Sequence, residues 1–248
     1  MGEKTAIEWT DKTHNFWYGC TKVSQGCKHC YAERDMTKYG KDFRTVTRAK
    51  GFDKPLSWKD SSLVFVNSWS DFFIKEADGW RDDAWDVIRR TPHLIYQILT
   101  KRPERIMECL PDDWNGGYPN VWLGVSVENQ EAFWRIQALA TIASAVRFLS
   151  IEPLLEPLGS IPLLGFYHWI IVGGESGPEA RPMTAESAED IRQQRNAKQI
   201  PFFFKQMGGT SRINGHWGGN TLNGETYQEF PLRGLIRQLD LFGGINVT

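Results

Sequence analysis

The sequence predicts an α/β protein with mostly parallel strands, and two observations carry that prediction. Short apolar runs rich in Val, Ile and Phe recur at 62–71 (SLVFVNSWSD), 93–102 (HLIYQILTKR), 120–129 (NVWLGVSVEN), 146–154 (VRFLSIEPL), 168–177 (HWIIVGGESG) and 200–209 (IPFFFKQMGG). Their hydrophobicity is continuous rather than alternating, as in strands covered on both faces. Between them lie longer stretches with helical periodicity, and strand–helix alternation reads as a parallel sheet. No composition break divides the chain, so residues 1–248 read as one domain with a cysteine loop at about 14–34 and an irregular extension at about 208–248.

The helices follow in order. In DGWRDDAWDVIRRT, Trp80, Ala84, Val87 and Ile88 share one face. NQEAFWRIQALATI does the same with Phe133, Ile136, Leu139 and Ala140. TAESAEDIRQQRNAKQ opens with Thr184, a good N-cap, followed by an acidic first turn. A strand ahead of the cysteine loop cannot be located from the pattern. Beyond Gly208 the Gly- and Asn-rich segment predicts either a short hairpin followed by a helix over LRGLIRQLDLF or a cover over the site. It lacks the frame of a phosphate-binding glycine loop.

Every apolar run ends in polar residues: Asn67, Ser68, Ser70 and Asp71; Thr100, Lys101 and Arg102; Ser126, Glu128 and Asn129; Glu152; Gly174, Glu175 and Ser176; Lys205 and Gln206. In a parallel barrel the site is built at the strands' C-terminal ends, so this recurrence predicts a lined cavity. Net charge is −1, which gives no global basic field for nucleic acid but leaves room for a local basic cluster among the 29 Lys and Arg. Eleven Trp residues supply core and, at a surface, stacking platforms. The N-terminus has no apolar signal region and no apolar run is long enough to span a bilayer, so the expectation is a cytoplasmic protein with no membrane partner.

The stretch GCTKVSQGCKHCYA places Cys20, Cys27 and Cys30 within eleven residues; Cys109 is the remaining cysteine of four. Clustered thiols in a reducing compartment bind metal or do chemistry rather than form disulfides. The C-x2-C pair lets two thiolates reach one centre from a tight loop, and Gly19 and Gly26 relieve the backbone before a ligand. A structural zinc needs a fourth ligand, which His14 or His29 would have to supply. An iron–sulfur cube held by three thiolates keeps one iron open. Cys109, in RIMECLPDD at a helix end, reads as a buried small hydrophobe.

GCKHCYA resembles the end of the three-cysteine loop of radical S-adenosylmethionine (SAM) enzymes, although six residues rather than three separate the first two cysteines. IEWTDKTHNFWYGCTKVSQGCKHCYAE, VNSWSDFF, LTKRPERI, LGVSVENQ, LSIEPLLEPL, IVGGESGPEARPM and FFFKQMGG occur in the same order in a family of phage and bacterial proteins. By these phrases the chain is identified as a member of that family, which is named after phage gene products and described as carrying a radical-SAM-like three-Cys motif. The resemblance implies a full or partial (β/α) TIM-type barrel, a [4Fe–4S] cluster on Cys20, Cys27 and Cys30, and SAM on the open iron. It also implies a reducing electron-donor protein and generation of a 5′-deoxyadenosyl radical. Phage membership and the Trp content point to a nucleobase, nucleotide or nucleic acid as substrate. The competing readings are an iron–sulfur redox protein without SAM and a zinc-stabilised nucleic-acid-binding module.

On this reading Tyr31 packs beside the cluster. Ser68, Ser70 and Asp71 receive the SAM ammonium by position, through a charge-assisted bond. Ser126, Glu128, Asn129, Glu152, Gly174 and Glu175 supply further cofactor contacts, and Lys101, Arg102, Arg181 and Lys205 face substrate. No general acid or base is assigned.

Overall fold

The computed structural model describes residues 5–231. In chain order its elements are β1 (Lys12–His14), β2 (Trp17–Tyr18), α1 (Tyr31–Lys38), β3 (Thr47–Arg48), β4 (Ser62–Val66), α2 (Asp78–Arg89), β5 (Leu94–Thr100), α3 (Ile106–Cys109) and β6 (Val121–Ser126). There follow α4 (Phe133–Ala140), β7 (Val146–Ile151), β8 (Trp169–Gly173), α5 (Ala185–Asn196), β9 (Phe202–Gln206), β10 (Arg212–Ile213) and β11 (His216–Trp217).

Seven strands form one sheet in the order β1-β4-β5-β6-β7-β8-β9, and every pairing is parallel. The six apolar runs are its last six strands. The first, Lys-Thr-His at 12–14, pairs through Lys12↔Val64, Thr13↔Phe65 and His14↔Val66. Three residues with no apolar side chain give no strand signal, which is why the pattern hides it.

The sheet is curled into a half-barrel. Trp9 measures the curl: its ring centroid lies 4.6 Å from Phe65 on β4 and 6.2 Å from Trp169 on β8. Strands four places apart in a flat sheet would be separated by roughly 19 Å at about 4.8 Å per strand, so one indole reaches both only on a concave face.

Side chains alternate between two environments. Outward residues such as Val64, Tyr96, Ile98, Leu123, Val125, Leu149, Ile170, Val172, Phe202 and Phe204 join Trp85, Val87, Ile88, Ile136, Leu139 and Ile191 of the helices in the main core. Inward residues Phe65, Ile95, Trp122, Val146, Phe148, Trp169, Ile171 and Phe203 close around Trp9 in a second core at the strands' N-terminal ends. Burying each such side chain stabilises the fold by roughly 1.5–3 kcal/mol. Gly124 admits the Phe148 ring, which a Cβ would approach to 2.3 Å.

Helix α2 buries Ala84, Val87 and Ile88 of its predicted face. Trp80 is only partly buried, while Arg81 and Trp85 are buried. Arg81 satisfies the preceding loop by donating from Nε to Phe72 O (3.1 Å) and from Nη2 to Ile74 O (2.6 Å). Thr184 caps α5 as predicted, accepting from Ser187 N.

The extension past Gly208 is more regular than its composition implies. Its described part holds the β10–β11 hairpin. It then returns antiparallel to the free edge of β9, where Phe204 N donates to Tyr227 O (2.8 Å) and Glu229 N to Phe202 O (3.1 Å). These bonds satisfy an edge that would otherwise template aggregation. The predicted helix over LRGLIRQLDLF lies outside the described residues. None of the helices among the described residues is long and apolar enough to cross a membrane.

Candidate metal centre

The cysteine loop leaves the C-terminal end of β1 and is tied to the end of β4. Phe16 N donates to Asn67 Oδ1 (2.8 Å), Trp69 N to Asn15 Oδ1 (2.8 Å) and Gly19 N to Trp69 O (3.1 Å). Ser70 Oγ donates to Gly19 O. Gly19 has φ +92°, and a Cβ there would lie 2.4 Å from Thr45 O. Two short strands, β2 and β3, brace the loop as an antiparallel pair, and Cys20 N donates to Phe43 O (2.7 Å). Gly26 has no positive φ, but a Cβ on it would sit 2.3 Å from the Glu128 side chain. Both glycines therefore mark close approach rather than a loose chain. Cys30 is the N-cap residue of α1.

Cys20, Cys27 and Cys30 all line one cavity of about 180 Å3 at the C-terminal ends of the strands. The same walls carry Ser68, Ser70, Asp71, Lys101, Arg102, Ser126, Glu152, Gly174, Glu175 and Lys205, together with Tyr31 and His29. The register explains how these meet. Inward positions pass from Phe148 to Ser150 to Glu152 on β7, and Ser126 pairs with Ser150 across β6 and β7. The apolar plug thus gives way to polar side chains within two residues on the same face.

Two buried ion pairs hold the thiol loop in place. Arg102 Nη1 contacts Asp71 Oδ2 (3.1 Å) and Cys20 Sγ (3.7 Å), and Arg102 Nη2 donates to both Thr21 O and Thr21 Oγ1 (2.8 Å each). Asp71 also accepts from Thr100 Oγ1, Lys101 N and Phe73 N. On the other side, Glu128 accepts from Ser24 Oγ (2.6 Å) and Arg135 Nη1 (2.7 Å), with Lys101 Nζ at 3.6 Å. Burial works against the Glu128 carboxylate, but Lys101, Arg135 and Ser24 outweigh it and hold its pKa below the usual range. Burial, reinforced by Asp71, pushes the Cys20 thiol up to about 12 against the pull of Arg102. Burial raises Cys30 as well. The protein alone does not stabilise these two thiolates, and a bound cation would.

These contacts correct several predicted roles. Asp71 has four donors on its carboxylate and no acceptor left for an incoming ammonium. Arg102 stands on the cavity wall with its Nη atoms taken by Asp71, Cys20 and Thr21, so the contacts it makes here brace the loop. Glu128 and Asn129 are absent from the cavity wall: Glu128 is turned toward Ser24 and Arg135, and Asn129 begins the turn ahead of α4. Arg181 is also off the wall. It clamps Glu175 through Nε (2.9 Å) and Nη2 (2.6 Å) and reaches Gln25 O (2.9 Å) in the cysteine loop. Burial opposes the Glu175 carboxylate, and Arg181 overcomes it and lowers its pKa. Lys205 and Glu152 pair with each other across the cavity. Gly174 lets β9 approach, since a Cβ on it would lie 2.0 Å from Met207 O.

Trp9 and Ser150 are wall residues that the sequence reading did not single out, and Asn67 is one that it named only as a strand-end polar residue. Trp9 Nε1, Asn67 Nδ2 and Ser150 Oγ are buried without a hydrogen-bond partner among the described residues, and all three residues line the cavity. Ser150 is legible in hindsight as the inward position between Phe148 and Glu152. Trp9 is not, because it precedes the first strand.

Neither histidine completes a zinc site. His14 Nε2 is bonded to Phe52 O (3.1 Å), its ring stacks edgewise on Phe16 and Trp58, and it is not on the cavity wall. His29 Nδ1 lies 3.2 Å from Glu179 Oε2. Cys109 is buried at the end of α3 beside Arg105 and away from the cavity. Among the described residues no three His, Cys, Asp or Glu side chains converge closely enough to hold a single ion. A mononuclear zinc needs donors meeting at about 2.3 Å from one point. Cys20, Cys27 and Cys30 share the wall of one cavity without meeting at such a point.

A family model described as "Protein of unknown function (DUF5131)" matches residues 4–231. The chain belongs to the DUF5131 family. No curated protein and no solved structure matches it. The matched span takes in the whole half-barrel, the cysteine loop and the β9 edge cover, so this DUF5131 chain carries its candidate centre inside the family's shared region.

Proposed function

We propose that the protein is a radical-SAM-type iron–sulfur enzyme of the three-Cys family that the sequence resembles, acting on a nucleobase or nucleotide. The observation that carries this reading is the meeting of Cys20, Cys27 and Cys30 on one cavity at the C-terminal ends of a curled parallel sheet. Cys20, Cys27 and Cys30 would hold the [4Fe–4S] cluster and leave one position without a protein ligand. With the cluster bound and reduced by an electron-donor protein, these three thiolates would hold the group that passes one electron to SAM for its reductive cleavage.

The chain's own residues set the surroundings. Arg102 beside Cys20 and Lys101 near Cys30 place positive charge by the thiols, which offsets part of the cost that burial puts on a thiolate. Ser68 Oγ already accepts from Asn15, yet keeps its proton to donate into the cavity. Trp9 Nε1, Asn67 Nδ2 and Ser150 Oγ offer unpaired polar groups on a wall that also carries Ile7, Phe65 and Leu99. Buried donors without partners cost about 1–3 kcal/mol each, and a polar, partly aromatic ligand relieves that cost. The Glu152–Lys205 ion pair places one charge of each sign on the same cavity wall.

The test is anaerobic reconstitution with iron and sulfide, then EPR of the reduced protein with and without SAM. A [4Fe–4S] signal that changes on adding SAM is the expected result. A cluster indifferent to SAM rejects SAM chemistry in favour of electron transfer alone, and failure to assemble any cluster rejects both.

A further inference from the structure

The chain's charge is unevenly placed. Residues 21–50 hold eight Lys and Arg against three Asp and Glu, while the remainder of the chain holds 21 against 27. A near-neutral total thus conceals a basic segment that wraps the cysteine loop and α1. Lys22, Lys28, Arg34, Lys38, Lys41, Arg44, Arg48 and Lys50 are all exposed. Lys22 pairs with Glu33, Arg34 with Asp35 and Arg48 with Asp83. Lys28, Lys38, Lys41, Arg44 and Lys50 have no acidic partner among the described residues.

The same face carries aromatic rings. Tyr39, 65% exposed, stacks on Trp69 with centroids 6.0 Å apart and planes 29° from parallel. Lys41 Nζ lies 4.8 Å from the Tyr18 ring and 5.9 Å from the Trp69 ring. Trp69 packs in turn against the cluster formed by Ala32, Met36 and Phe43, which also takes in Cys20 and Cys30. Cys20 and Phe43 line both the main cavity and a smaller adjoining one that includes Lys22 and Arg44. Unpaired cations beside an exposed stacked aromatic, joined to the cavity wall through Trp69 between Ser68 and Ser70, match the needs of a strand with a charged backbone and flat bases.

We propose that this face, Lys38, Lys41 and Arg44 around Tyr39 and Trp69 together with Lys28 in the cysteine loop, docks single-stranded nucleic acid so that one nucleotide enters the three-thiol cavity. The inference rests on the enzyme reading only for what happens in the cavity; the docking itself does not. It deepens that reading by making the substrate a polymer rather than a free nucleotide. Duplex fits less well, because a base must leave its stack to meet Tyr39. An acidic protein would use the cations but not the stacked rings.

The experiment is fluorescence anisotropy with a labelled mixed-sequence 12-mer of single-stranded DNA and the full chain, with and without reconstituted cluster. Four phosphates neutralised predict a log K against log salt slope of about −3. The variant K38E/K41E/R44E is expected to weaken binding by at least about tenfold and to flatten that slope. Tyr39→Ala should cost about fivefold or more with the slope unchanged. As a control, K59E/K198E changes exposed lysines that precede β4 and β9, at the opposite end of the sheet, and should stay within about twofold.

Three results overturn the proposal: no binding at 50 mM salt, equal weakening in the control, or competition by a mononucleotide or duplex as effective as by the 12-mer. Poly-glutamate competing as well as the oligonucleotide would reassign the face to an acidic protein. Binding lost while EPR still responds to SAM sinks the docking alone. A SAM-indifferent EPR signal with binding intact sinks the radical reading alone.

Discussion

The floor and the mouth of the half-barrel are built by the same strands on the same face, yet they do opposite work. At the floor, Trp9, Phe65, Trp122, Phe148 and Trp169 fill the interior with interlocked rings. Two to four residues further along, the same strands present Ser126, Ser150, Glu152 and Lys205, and the cysteine loop closes over them. The lesson is that a parallel sheet separates stability from chemistry along its strand axis. A substitution at one end should leave the other measurable.

The largest expected effect belongs to the mouth. Cys30→Ala should abolish reconstituted iron, from about four atoms per chain to a small residue, while the urea midpoint stays close to wild type. Full iron retention in that variant would remove Cys30 from the ligand set. At the floor, Trp169→Ala should cost about 3–5 kcal/mol in urea unfolding, with the protein still able to take up iron where it remains folded. Coupled loss of both properties in that variant would break the separation.

A third prediction concerns a group outside both regions. Burial lowers the His14 pKa from 6.5 to about 4, partly offset by its bond to Phe52 O. The depressed folded value means that stability is complete above the unfolded pKa of about 6.5 and is lost as pH falls toward the folded one. Between pH 7 and pH 4 this amounts to about 3 kcal/mol. His14→Gln should flatten that part of the stability profile, and an unchanged slope would show that other groups set it. The smallest effect is kinetic. With the Cys20 thiol pushed up to about 12, its alkylation in metal-free protein should rise about tenfold per pH unit from pH 8 to 11. A plateau near pH 9, read by peptide mass mapping, would mean that burial does not govern it.

The legible parts of the sequence were those whose signal is local. Six strands announced themselves through nearly continuous Val, Ile and Phe, because both sheet faces are covered and most positions, Gln97 and Arg147 apart, are apolar until the strand leaves the core. Thr184 announced α5 because a cap acts within one turn. The three cysteines were visible by spacing alone. Less legible was β1, whose Lys-Thr-His takes its strand geometry entirely from pairing with β4. Asp71 and Arg102 show a different failure: their residue types suit ligand contacts, and nothing local reveals that they face each other. Glu128 and Asn129 followed the strand-end rule in sequence but turn off the wall in space.

By itself the sequence determined the α/β alternation, the six apolar strands and the presence of a three-thiol loop, since these depend on periodicity and short-range geometry. Tertiary structure decided the curl of the sheet, the insertion of Trp9 and the bracing contacts of Asp71, Arg102 and Arg181. Those features arise from contacts between residues distant in the chain: Trp9 with Trp169, Cys20 with Arg102, Gln25 with Arg181. A polar side chain's role depends on which partner satisfies it, and that partner is chosen only when the strands come together.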